Sequence, residues 1–184
     1  MQSEDYLSLA IREFERLKRL ADRALAQLPA DHFFTIPGRG DNSVGAILKH
    51  VSGNLISRWT DFLTTDGEKP GRARDTEFLI LPDETHAVLI SRWEQGWSAL
   101  FQALKPLQTA DLDRAVTIRG EPLSVLQAIN RQLTHYAYHV GQIVYLAKHY
   151  SGDHWNSLSI PVGQSEQFNL APTRYAEPAR RLNP

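Results

Sequence analysis

The chain has 184 residues, 42% of them hydrophobic and 22% charged, with 20 Lys and Arg against 21 Asp and Glu. That length suits one sizeable core and is short for two. A formal charge of −1 with no long run of one sign argues against a general nucleic-acid or membrane-surface binder. Cysteine is absent, which removes disulfide staples, thiolate nucleophiles, cysteine zinc knots and iron–sulfur clusters together. Met1-Gln2-Ser3-Glu4-Asp5 lacks the basic and apolar regions of a signal peptide, and no apolar stretch reaches the length of a membrane span. The expectation is a soluble, cytoplasmic protein.

Residues 3–28 are expected to form a first helix, with Tyr6, Ala10, Phe14, Leu17, Ala21, Ala24 and Leu28 recurring every three or four positions. Arg12, Arg16, Lys18, Arg19 and Arg23 interleave with Glu13 and Glu15, the pattern of a solvated face. Pro29 closes the helix, and turn chemistry fills the segment through Asn42. A second helix begins near Asn42 or Ser43 and runs to about Thr64, with Val44, Ile47, Leu48, Val51, Leu55, Trp59 and Phe62 apolar. Gly45 and Gly53 cost it about 1 kcal/mol each relative to Ala. They either permit close helix contact or leave room for a site.

A polar connection then reaches Pro82. Asp83 is expected to cap a third helix whose stripe is Ile90, Trp93, Trp97, Leu100 and Leu104. Ala115-Val116-Thr117-Ile118 alternates and reads as a brief extended segment or hairpin. Pro122 is expected at the first position of a fourth helix running to about Tyr150. Residues 151–184 carry no long periodic run and read as an irregular C-terminal tail on a helical domain of residues 1–150. The fold expected is all-α, a four-helix bundle. Connections of about fifteen residues leave room for crossed-over topology.

The chemistry concentrates in the fourth helix. His135 and His139 lie four residues apart, so their imidazoles stack on one helix face. A third histidine, His50, falls in the second helix on a polar column with Ser43, Ile47, Asn54, Ser57 and Asp61. Three imidazoles can hold a metal while leaving coordination positions open, an arrangement that suits catalysis. Each histidine is equally readable as a satisfied core or boundary residue. Asn54, Arg58, Asp61, Arg131 and Gln142 stand near the ligand columns as candidates for orienting a ligand or touching a substrate. No Glu follows His135 in the zincin pattern, and phosphate-loop and nucleophile-elbow motifs are absent.

The segments Ile47-Leu48-Lys49-His50-Val51-Ser52-Gly53-Asn54 and His135-Tyr136-Ala137-Tyr138-His139-Val140-Gly141-Gln142-Ile143 together resemble the DinB-like superfamily. Residues 59–70 (Trp59 to Pro70) and His154-Trp155-Asn156-Ser157-Leu158-Ser159-Ile160-Pro161 resemble one of its subgroups, a domain of unknown function. The similarity reaches to about residue 169. The resemblance implies an up-down-down-up four-helix bundle, often homodimeric, holding zinc or nickel on His50, His135 and His139. Better-known members are transferases and isomerases that use mycothiol, bacillithiol or glutathione, and metal-dependent hydrolases. It therefore implies a small-molecule substrate and a low-molecular-weight thiol as cosubstrate, while the near-neutral charge leaves no nucleic-acid or membrane partner expected. No thiol-cofactor signature maps onto this chain residue by residue.

Overall fold

The computed structural model describes residues 5–172. Four long helices dominate: α1 (Tyr6–Leu25), α2 (Val44–Trp59), α3 (His86–Leu104) and α4 (Val125–Ser151). A two-stranded antiparallel hairpin, β1 (Ala115–Ile118) and β2 (Glu121–Ser124), precedes α4, and a short α5 (Ser165–Leu170) follows it. Among the described residues, no helix is long and apolar enough to cross a membrane.

Each long helix starts at a side-chain cap. Asp5, Ser43, Thr85 and Ser124 accept the backbone N–H three residues on, which satisfies a donor the first turn leaves free. Asp83 is therefore not the cap of α3; Thr85 is, two residues later. Nor does Pro122 open α4. It sits in β2 opposite Thr117, and the capping box of Ser124 and Gln127 starts the helix at Val125. Arg119 and Gly120 make the turn between the strands, both with positive φ (57° and 74°), as a tight two-residue hairpin requires.

The expected first helix is trimmed. It ends at Leu25 rather than 28, and position 3 lies outside the described residues. The second ends at Trp59, not Thr64, because Asp61 takes a left-handed conformation (φ 48°) and its carbonyl accepts the N–H groups of Thr64 and Thr65. In the tail, residues 152–172 include α5, where an irregular path was expected. Arg23 donates to the Leu158 carbonyl at 3.0 Å, and Gln27 bonds both backbone groups of Asn156, so this stretch lies along α1. The rest of the expected tail, residues 173–184, is outside the described residues.

The apolar stripes meet in one core. Phe14, Leu48, Leu55, Trp93, Trp97, Leu100, Ile129, Tyr136 and Ile143 are essentially inaccessible to water. Removing a large aliphatic side chain from such a position costs about 2–5 kcal/mol. Tyr6 bonds Asn130 and Ser151 bonds Gln27, so α1 and α4 run side by side in the same direction. Lys49 pairs with Glu84 just before α3, and Gly96 of α3 lies under Leu55 and Ser52, so α2 and α3 are also parallel. At Gly96 a Cβ would stand 2.9 Å from Leu55 Cβ; the two backbones approach only because that side chain is missing. Consecutive parallel helices need a connection that travels back the length of a helix, which accounts for the long segment at residues 60–85.

That segment is pinned rather than loose. Asp66 accepts the N–H groups of Glu68, Arg119 and Gly120 at 2.7–2.8 Å, fastening it to the hairpin turn. Backbone N–H bonds, led by Gly120 and Glu68, pull its carboxyl down to about 2 from an ordinary 3.8. A depressed carboxyl stabilises the fold above its unfolded value and loses that contribution as pH falls through the folded value. The wild type is therefore expected to lose stability between pH 3.8 and about 2 in a step that Asp66→Asn lacks, read from urea midpoints across that window.

Candidate metal centre

His50 comes from the middle of α2, and His135 and His139 from successive turns of α4. One ring nitrogen from each lies within 4.8 Å of those of the other two, so the group can hold a metal ion. His50 and His139 are buried, and His135 is half-buried. His50 Nδ1 bonds Glu77 Oε2 at 2.7 Å, and His139 Nδ1 bonds Gln142 Oε1 at 2.9 Å. An oxygen acceptor at Nδ1 places the ring proton there and leaves Nε2 with its lone pair. His50 Nε2 stands 3.4 Å from His135 Nε2, and His139 Nε2 is buried without a hydrogen-bond partner.

An unsatisfied buried acceptor costs about 1–3 kcal/mol, and converging nitrogen lone pairs repel unless a proton or cation joins them. Burial, then the neighbouring histidines, pushes His135 down to about 3; burial, then His50, pushes His139 down to about 4. Both are therefore neutral near pH 7, the ligating form. A cation fits this donor set, because it would engage the lone pairs of all three rings at once.

The residues around the histidines come from a segment with no apolar periodicity. Glu77, 6% exposed, accepts from His50 and also from Arg72 Nε and Nη2 at 2.7 and 2.8 Å. Burial opposes its ionisation, yet the His50 and Arg72 bonds hold it below the ordinary carboxylate value. Phe78 stacks on the His50 ring at 4.7 Å. Gly53, one turn beyond His50, faces this carboxylate: a Cβ there would overlap Glu77 Oε1. Gly45 instead makes room for Phe33 and Phe34.

Of the other sequence candidates, Gln142 reaches His139 as stated. Asn54 accepts from the Tyr136 hydroxyl at 3.0 Å and, with Arg58 and Arg131, lines a cavity of about 520 Å³ that His50 and His135 also border. Arg58 donates to the Gly67 carbonyl and to Glu68. Asp61 is not brought to this cavity; it is exposed beyond the end of α2 and borders a second cavity with Trp59 and Phe62. His154 is exposed in the turn after α4, and His32 stacks on Tyr150. Among the described residues, neither belongs to the ligand group.

Sequence reasoning missed Glu77, Arg72, Phe78 and the buried Tyr136, whose hydroxyl also accepts from Trp59 Nε1 at 3.1 Å. The alternation of Glu68, Arg72 and Glu77 in an otherwise polar stretch was the available signal. The chain belongs to the family described as a protein of unknown function (DUF1572), whose profile matches residues 1–164. No curated protein matches the chain.

Proposed function

We propose that this protein is a metal-dependent enzyme acting on a small molecule, with zinc or nickel held by His50, His135 and His139. The observation that carries the reading is a three-histidine group of which His50 and His135 border a cavity of about 520 Å³, with no fourth ligand joining it among the described residues. Three protein ligands and an open face are what catalytic sites of this kind share. Such an ion supplies Lewis acidity, acidifying water or a thiol that reaches it. The chain's own residues do the rest: Glu77 and Gln142 fix two imidazoles in the ligating tautomer, and Phe78 covers one face of His50. Since the chain has no cysteine, any thiolate belongs to a cosubstrate. We assign the reaction to thiol transfer or hydrolysis.

The same reading places the chain in the DinB-like superfamily as an up-down-down-up four-helix bundle of residues 1–150 with an extension of residues 151–184. Parallel α1–α4 and α2–α3 pairs support that course. It also makes the protein a cytoplasmic homodimer with a small-molecule partner and no nucleic-acid or membrane partner. The competing reading is a non-catalytic, stress-associated metal-binding bundle in which the ion ties α2 to α4, favoured by the ligands coming from both helices. Cobalt-loaded protein separates the two: a visible spectrum that shifts when a small thiol is added is expected of an open site. A spectrum indifferent to thiols and small anions would support the structural tie.

A further inference from the structure

We infer that the molecule taken by this cavity is an anion bearing a carboxylate or phosphate, bound by arginines beside the three histidines; the inference rests on the metal-site reading for its catalytic meaning. Arg58, Arg72, Arg74, Arg119 and Arg131 all line the cavity, and among the described residues no Asp or Glu does. The nearest carboxylates are already engaged from behind. Glu68 bonds Arg58, Arg72 and Arg119, Glu77 bonds Arg72, and Glu121 meets Arg131 at 3.5 Å. Five guanidiniums thus face three carboxylates, while the whole chain carries a net charge of −1. The positive charge is gathered in this cavity, where low-dielectric walls strengthen its field.

The donors available are suited to an oxyanion. Arg74 is exposed, lines the cavity and makes no ion pair among the described residues. Arg58, 5% exposed, has a buried Nε with no hydrogen-bond partner. Gln132, 3% exposed, also lines the cavity and leaves its amide oxygen unpartnered, an amide that can turn its NH₂ toward an anion. Planar guanidiniums bind carboxylate and phosphate in bidentate fashion, which makes arginine the matching residue. The volume suits a ligand of small-molecule size. Phe78 and Tyr138 add partly exposed aromatic surface at the same cavity, so the ligand also carries an apolar part.

The test uses zinc-loaded full-length protein and an Arg74→Ala/Arg131→Ala double variant, both sites exposed. Inorganic phosphate and malonate are titrated by calorimetry, with zinc content measured in parallel. Expected are saturable binding of at least one of the two probes by the wild type, at least tenfold weaker binding by the variant, weakening as salt rises, and equal zinc in both. Preference for phosphate or malonate tells the two headgroup chemistries apart. No binding of either probe, or equal binding by both proteins, overturns the inference while leaving the zinc site intact. Arginine-dependent binding by a protein that takes up no zinc keeps the anion site and removes the metal reading.

Discussion

Glu77→Ala is expected to lower stability by about 3–5 kcal/mol and to weaken metal binding by about 10–100-fold. The first figure follows from Arg72, whose side chain is 4% exposed and whose bidentate partner disappears, leaving Glu68 at 3.3 Å as its remaining carboxylate. A buried guanidinium without its partner cannot recover its hydration. The second figure follows from His50, whose Nδ1 loses the acceptor that fixes its tautomer. Glu77→Gln keeps an acceptor oxygen and the side-chain shape, so it should retain more metal than Glu77→Ala. Urea unfolding and competition with a chelator of known affinity measure the two effects separately. A Glu77→Ala variant with wild-type metal affinity would mean that the carboxylate does not position His50.

Gly53→Ala is the second large expectation, and its sign opposes helix propensity. Ala in mid-helix is ordinarily better than Gly by about 1 kcal/mol. Here the added methyl would overlap Glu77 Oε1, with Cδ only 3.2 Å away, and that carboxylate is held by both His50 and Arg72. Overpacking of this kind costs about 1–3 kcal/mol, so the variant is expected to be less stable than wild type and to bind metal at least tenfold more weakly. Metal titration of Gly53→Ala beside the conservative exposed-helix change Gly141→Ala, where a Cβ meets nothing within 4 Å, isolates the local effect. A Gly53→Ala protein more stable than wild type with full metal uptake would show that Glu77 has freedom the geometry denies it.

How much of this was legible in the sequence depends on which force placed each residue. The helices were legible because their cores are apolar and periodic: Ala10, Phe14, Leu17, Ala21 and Ala24 are all buried as the spacing requires. The His135–His139 pair was legible because i, i+4 geometry needs no tertiary information, whereas His50 joins it from α2 and was singled out by its polar column and by the family resemblance. Tyr136 was passed over although it lies between Leu133 and Val140 on the inward face, because its hydroxyl makes it look amphipathic; Trp59 and Asn54 satisfy that hydroxyl. Glu77, Arg72 and Glu84 were illegible for a different reason. Their burial is compensated by ion pairs with residues five to thirty-five positions away, and hydropathy counts every such residue as exposed. The early end of α2 carried no Gly or Pro to mark it, since the turn is made by Asp61 at positive φ. Pro122 suits a first helical turn and an exposed strand equally well, and the hairpin register decided between them.

The most direct test of the metal centre is elemental analysis of the full chain purified without a metal-affinity tag, beside His50→Ala. Wild-type protein is predicted to carry, or to take up on reconstitution, about one equivalent of a divalent transition metal. The variant should lose most of it while circular dichroism still reports the same helices. Wild-type protein that stays metal-free after reconstitution, or a His50→Ala variant that keeps the full equivalent, would contradict the three-histidine site.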